Sequence, residues 1–248
     1  MIRASLLLAL VAAGCATASK PARFALPEDP GAIVVLLAKS RGADEPQALL
    51  ELSADATLRT RNGSKAANAA DLQELLAYIV DDQRFFDIDE QAIRLAVHQS
   101  NSRHGSAVVV MDAPTTHITV RLHDREHTVA QYSLAFRAQR FSDVDPLRRL
   151  AAIERRIIRF GAVAHLGGQE RAEQFAAAAN RALAKAHPSV AAFTLDDLST
   201  AGTRRDGAIV AHFRRASTPT TITFATVAWP DGGEPAVQVQ SNEAANNG

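Results

Sequence analysis

The segment THITVRLHDREHTVAQY, residues 116–132, indicates the fold class because it has the pattern of two strands joined by a turn. Its first half alternates apolar with polar residues, as a strand with one buried face does. The apolar positions of that half are Ile118, Val120 and Leu122. We therefore expect an antiparallel hairpin with one side in a hydrophobic core.

The register of this hairpin depends on the length of its turn. A three-residue turn at 124–126 places His123 opposite His127 and Ile118 opposite Tyr132. In that register the apolar sides of the two strands coincide, so we expect it to be the native one.

Further strands and a helix are predicted before the hairpin. Strand-like runs lie at 32–39, 48–53 and 57–61, separated by turn-rich segments. From Leu72, apolar residues recur at i, i+3, i+4, i+7 and i+8, which is typical of an amphipathic helix, and Asn68 is its expected N-cap.

Two more helices flank the hairpin. One is expected to open at the capping box Asp87-Ile88-Asp89-Glu90 and to end near His98, followed by a loop over the hydrophilic SNSRHGS at 100–106. The other is expected from Asp145-Pro146 to about Phe160, with proline in the first turn, where helices tolerate it.

The glycine-rich GAVAHLGG at 161–168 is the best candidate for a domain boundary. After it, an amphipathic helix is predicted from Ala172 to Leu183 and stopped by Pro188. Short strands with turn signals between them follow at 198–204, 208–216, 220–229 and 236–240.

These elements predict an α+β fold with two domains. Residues 31–163 are expected to form an antiparallel sheet packed with helices. Residues 168–242 are expected to form a smaller domain of one helix and an antiparallel sheet, followed by a disordered tail at 243–248.

Two resemblances agree with this division. Phe85-Phe86-Asp87-Ile88, followed by Asp112-Ala113-Pro114-Thr115-Thr116 and an alternating strand, is similar to an uncharacterised family of secreted bacterial domains, over residues 30–160. One helix followed by antiparallel strands at 168–242 resembles the cystatin-like and PepSY-like architecture, which implies a fold and no specific function.

The N-terminus has the pattern of a targeting sequence. Arg3 precedes a short apolar run that leads into Cys15, the one cysteine of the chain. The run is far shorter than the ~20 residues that cross a bilayer, so it is typical of a signal peptide. Val11-Ala12-Ala13-Gly14-Cys15 resembles the lipobox of bacterial lipoproteins, although Ala12 stands where that family prefers leucine.

That resemblance implies a signal peptide at 1–14, a lipid-modified Cys15 and a proline-containing tether at 15–30. It implies the cell envelope as location, with the periplasmic side of the outer membrane favoured because Ala16 is not the aspartate associated with inner-membrane retention. The alternatives are an ordinary signal peptide and an unmodified thiol.

Composition excludes several classes of function. Lys+Arg and Asp+Glu both number 27, so no global charge favours nucleic acid. With Cys15 lipidated, no thiol remains for a disulfide or a zinc–thiolate site. The chain has no GxSxG, HExxH, P-loop or GxGxxG motif, and we expect no cofactor.

Five of the eight histidines lie between 98 and 127, which raises the question of a metal site. In the predicted register His123 and His127 are close enough to share an ion. The alternative is two solvated histidines on the polar side of a hairpin, since zinc sites need three or four ligands.

The helix predicted from 145 carries a cationic stripe. Its members share one face or flank it: Arg148, Arg149, Arg155, Arg156 and Arg159. Such a stripe suits lipid phosphates or an anionic cell-wall polymer. The alternative is an ordinary solvated face, partly offset by Glu154.

Taken together, these features predict a membrane-anchored envelope lipoprotein that binds or scaffolds and does not catalyse. Its partners would be the membrane, through the anchor, and an envelope protein or anionic polymer, with no nucleic acid. Two alternatives remain: an inhibitor of an envelope protease through the C-terminal domain, and a hydrolase whose site assembles only in space.

Overall fold

The computed structural model of the 248-residue chain describes residues 22–104, 112–218 and 221–243. The predicted signal peptide, Cys15 and the tail from residue 244 lie outside the described residues. Within them, two antiparallel sheets and five α-helices confirm the α+β class.

The first sheet has six strands in the order β4-β3-β2-β1-β5-β6. The strands are β1 (Ile33–Ser40), β2 (Gln47–Ser53), β3 (Thr57–Thr60), β4 (Gly63–Ala66), β5 (Thr115–Arg121) and β6 (Glu126–Tyr132). The three runs expected before the hairpin are confirmed as β1 to β3. The sequence GSKA of β4 is fully exposed and has no apolar alternation, so its pairing with β3 was not predictable from pattern.

The hairpin β5–β6 is confirmed, but its predicted register is wrong. Ile118 lies opposite Val129, and residues 122–125 connect the strands. This register pairs two side chains that are fully buried, whereas the predicted one placed Ile118 against the exposed Tyr132. Leu122 is the first residue of this connection, and its side chain is buried although the strand ends before it.

Four helices accompany this sheet: α1 (Ala69–Ala77), α2 (Glu90–His104), α3 (Leu134–Arg140) and α4 (Asp145–Leu166). The cap of α1 is confirmed, since Asn68 Oδ1 accepts a hydrogen bond from the amide of Ala70 at 2.8 Å. The loop expected at 100–106 is wrong over its first part, because α2 continues to His104. Ser100 explains the continuation: it is buried and donates to Asp143 at 2.9 Å.

The second sheet has the order β10-β9-β8-β7 and follows one helix, α5 (Gln169–Ala186). Its strands are β7 (Leu198–Thr203), β8 (Ile209–Thr218), β9 (Thr221–Trp229) and β10 (Ala236–Glu243). Phe175, Ala179 and Leu183 of α5 are buried against Phe213 and Val227, so α5 covers one face of this sheet. The expected helix followed by four strands is confirmed.

One helix, α4, contributes side chains to both hydrophobic cores. α4 does not end near Phe160 as expected but runs to Leu166, where Gly167 caps it with φ 95°. Ile157 is buried in the core of the first sheet, whereas Ala162 and Leu166 are buried in the core of the second. The segment 161–168, predicted as the domain boundary, is therefore mostly helix, and its residues join the two halves.

Gly161 makes this arrangement possible. A Cβ at this position would lie 2.5 Å from Leu50 Cδ1, a side chain of β2 that is itself buried. The glycine is in the helix because α4 crosses β2 closely, and it does not end the helix.

Three side-chain contacts tie the halves together around α4. His165 Nε2 lies 2.8 Å from Thr60 Oγ1, and Asn62 donates to the carbonyl of Ala201 at 3.2 Å. Arg159 forms an ion pair with Asp196.

The N-terminal segment is attached to the first half before β1 begins. Gln73 on α1 both accepts from the amide of Phe24 and donates to its carbonyl, at 2.8 and 3.2 Å. Phe24 and Leu26 pack against the first core, and Arg23 pairs with Asp81. Of the predicted tether at 15–30, Arg23, Phe24 and Leu26 are therefore attached to the folded first half.

We predict that Gly161→Val lowers the free energy of unfolding by about 1–3 kcal/mol, because the added methyl groups force Leu50 out of its place in the core. Urea denaturation measures the effect. Ala177→Val, at an exposed position of α5, is the control for placing a β-branched residue in a helix. Equal stability of the two variants would contradict the close crossing of α4 and β2.

We predict that acid weakens the junction through His165. Burial, and secondarily the charge of Lys65, lowers the pKa of His165 below its ordinary value of 6.5. The unfolded chain therefore binds a proton that the folded chain does not, so stability is lost as the pH falls below 6.5. The loss of unfolding free energy between about pH 8 and about pH 5 should be smaller in His165→Gln than in the wild type. An unchanged profile for His165→Gln would contradict the assignment.

Candidate functional site

The arginines of α4 lie on the side of the helix that neither core covers. The opposite side buries Leu147, Leu150, Ile153 and Ile157. The predicted stripe is therefore a surface feature, and the structure shows what lies next to each of its members.

Arginines from both halves of the molecule line a cleft of about 800 Å³. Arg148, Arg149 and Arg155 come from α4, and Arg214 comes from β8 of the second sheet. Asp145 is the one carboxylate among the lining residues, and small side chains of α3 and α4, such as Ala138 and Ala152, form much of the wall. We call this the arginine cleft.

Arg149 is held in place by backbone carbonyls. Its Nε donates to the carbonyl of Gln83 at 2.7 Å, and its terminal nitrogen donates to that of Arg84 at 2.9 Å. Both carbonyls belong to the turn after α1, where Arg84 has φ 49°. Arg148 lies 2.5 Å from Asp145, which neutralises part of its charge.

The other two arginines of the cleft are not neutralised. Among residues 22–104, 112–218 and 221–243, no carboxylate pairs with Arg155 or Arg214, and both side chains are exposed. The guanidinium of Arg214 lies 6.0 Å from the ring centre of Phe224 on the neighbouring strand. These two groups present N–H donors with nothing in the described chain to accept them.

A second cavity, of about 390 Å³, continues from the cleft past Ala152 and Arg155. Arg156 and Arg159 line it, but both are engaged: Arg156 lies 5.4 Å from the ring centre of Tyr78, and Arg159 pairs with Asp196. The five predicted arginines thus divide into those that hold the structure and those that are available, with Arg155 the most available.

Glu154 does not offset the arginines, contrary to expectation. It is buried on the other side of α4, where it forms a 2.9 Å ion pair with Lys39 and accepts from Thr116 at 3.3 Å. The positive charge of the arginine face is therefore larger than the sequence indicated.

The structure does not place His123 opposite His127, because His127 pairs with Val120. His127 is in β6, where its Nε2 lies 2.8 Å from the carbonyl of Ile88 and its ring packs on Phe85 at 5.3 Å. His123 is exposed in the connection between the strands. Across the described ranges, no three His, Cys, Asp or Glu side chains cluster closely enough to hold a metal ion.

One serine–histidine contact was not predicted. Ser40 Oγ and His117 Nε2 lie 2.9 Å apart on the adjacent strands β1 and β5. In the part of the chain that the structure describes, no carboxylate orients the other ring nitrogen of His117, so the third member of a catalytic triad is not found there.

Arg214 was not predicted because the other arginines of the cleft belong to α4, in the other half of the chain. Alternation in β8, beside the inward-facing Phe213, indicates only that the Arg214 side chain is exposed. Its place in the cleft depends on how α4 crosses from one sheet to the other.

Comparison with protein-family models, curated proteins and solved structures found no match to this chain. Over the ranges that the structure describes, no helix combines the length and apolar character needed to cross a membrane.

Proposed function

We propose that this protein is a lipid-anchored component of the bacterial envelope that binds a phosphate-bearing polymer in the arginine cleft, without catalysis. The observation that carries the proposal is the convergence of four arginines on one cleft lined by a single carboxylate, where no carboxylate of the described ranges pairs with Arg155 or Arg214.

Arginine suits phosphate because its planar guanidinium donates two parallel hydrogen bonds to a pair of oxygens. Arg149 is held by two backbone carbonyls and its Nη1 lies 3.5 Å from Asp145, so the donors available to phosphate come chiefly from Arg155 and Arg214. A protein with no net charge would show this attraction only locally, at the cleft.

A polymer fits better than a small anion. Arg148 and Arg155 are seven residues apart on α4, a separation of about 10 Å along the helix axis. Arg214 adds a third position on the other side of the cleft. A ligand with several anionic groups can satisfy these separated donors at once.

The predicted anchor would hold this cleft near the membrane. The eight-residue step from Cys15 to Arg23, where the chain begins to contact α1, reaches at most about 26–29 Å when fully extended. A diacyl anchor at Cys15 would give stable attachment, since two chains bind where one is marginal.

We predict that Arg155→Glu/Arg214→Glu lowers affinity for inorganic polyphosphate about a hundredfold, because two charge-assisted contacts are lost. Isothermal titration measures it. Arg94→Glu/Arg181→Glu, which reverses two exposed arginines on α2 and α5 outside the cleft, is the matched control and should bind as the wild type does. Equal binding by the cleft variant, or absence of binding by the wild type, would overturn the proposed function.

We predict that radioactive palmitate labels the wild-type protein in bacterial cells and that Cys15→Ser carries no label. The variant should also leave the membrane fraction, because the acyl chains supply the attachment. An unlabelled wild type would overturn the anchor and leave the cleft to be judged by its own test.

A further inference from the structure

The open face of the second sheet continues the arginine cleft. In β9, Thr223, Ala225 and Val227 are buried, and Ala225 and Val227 belong to the core under α5. The alternating residues Phe224 and Thr226 point to the opposite face, and Phe224 packs against neither hydrophobic core. None of the described helices covers this face at β9 and β10.

Strand register places polar and aromatic groups in rows across this face. Arg214 lies opposite Phe224, and Phe224 lies opposite Gln240. In antiparallel sheets, directly opposed residues share a face, so a guanidinium, an aromatic ring and an amide form one row about 10 Å long. Arg214 belongs both to this row and to the cleft.

The next row toward the other end of the sheet is hydrogen-bonding throughout. It consists of His212, Thr226 and Gln238, with His212 Nδ1 3.0 Å from Thr226 Oγ1. The side-chain amides of Gln238 and Gln240 make no hydrogen bond to any other described group. Each amide can both donate and accept, which is what a hydroxyl group requires.

The same face ends in a hollow of about 330 Å³. Gly202, Val210 and Ala228 line it, together with Asn62 of the first half. From the arginine cleft at Ala216 to this hollow at Val210, the face runs about 20 Å along β8. An extended ligand can therefore lie with one end among the arginines and the rest along the sheet.

We propose that the polymer is a phosphorylated glycan, with a phosphate in the arginine cleft and sugar rings across the open face. This inference rests on the proposed function and names its ligand. The two free glutamines and His212 supply partners for hydroxyl groups, and the ring of Phe224 supplies a flat apolar surface for a sugar ring.

Nucleic acid fits the same face less well. Single-stranded nucleic acid is bound by a series of aromatic rings on which successive bases stack. In the ranges that the structure describes, this face offers one such ring, Phe224, and Arg214 lies beside it. Hydrogen-bonding side chains occupy the positions where further aromatic rings would be needed to stack successive bases.

The test is titration of the full chain with phosphorylated dextran, inorganic polyphosphate, unmodified dextran and single-stranded DNA. The wild type should bind phosphorylated dextran most tightly. Gln238→Ala/Gln240→Ala should lower the affinity for phosphorylated dextran about tenfold, since two hydroxyl contacts are lost, and should leave the affinity for polyphosphate unchanged. Gln91→Ala/Gln99→Ala, two exposed glutamines of α2, is the matched control and should change neither. Circular dichroism and urea unfolding establish that each variant is folded.

The outcomes separate the two proposals. Unchanged binding of phosphorylated dextran by the folded Gln238→Ala/Gln240→Ala variant would overturn the glycan inference, and so would tighter binding of single-stranded DNA. In both cases the proposed phosphate binding in the arginine cleft is still supported if Arg155→Ala/Arg214→Ala loses affinity for polyphosphate. If that arginine variant keeps full affinity for both charged polymers, the proposed function and the inference fall together.

Discussion

The close crossing of α4 over β2, at Gly161, is the constraint on which the rest of the structure depends. Because no side chain separates the helix from Leu50 there, α4 can pack on the first sheet and continue without a break into the second core. One helix thereby contributes Ile157 to one core and Leu166 to the other. The two halves meet along it, and the space left between them is the arginine cleft.

The packing of α4 on the first sheet also decides which of its charged side chains are buried and which are exposed. Its buried side carries Glu154, and removing a carboxylate from water requires a partner, which Lys39 supplies. Its outer side carries arginines, and Arg155 there has no described carboxylate to offset it. α4 therefore carries the buried carboxylate Glu154 on one side and its five arginines, with the exposed Asp145, on the other.

Local patterns predicted most elements and none of their long-range relations. Alternation identified β1 to β3 and the strands of the second sheet, and the 3.6-residue period identified α1 and α5, because these elements bury one regular face. The hairpin register failed because the connection lies at 122–125 and not at 124–126, which moves the partner of Ile118 by three residues, from Tyr132 to Val129. The helix end predicted near Phe160 is wrong because the steric role of Gly161 involves Leu50, which is more than a hundred residues earlier in the chain.

The candidate site shows the same division. The arginines of α4 were visible as a stripe, but their availability was not, since it depends on contacts with Tyr78 and Gln83 of one distant segment and with Asp196 of another. Arg214 could not be predicted as a residue of the arginine cleft because no local sequence pattern relates β8 to α4. The predicted pairing of His123 with His127 failed with the register that supported it.

Backbone amide shifts in a two-dimensional NMR titration with inorganic polyphosphate test the central claim most directly, because they report both halves of the cleft at once. The account predicts that the amides around Arg149 and Arg155 on α4 and those around Arg214 on β8 shift together, with one apparent affinity. Shifts confined to one half, or centred on a surface away from the cleft, would contradict it.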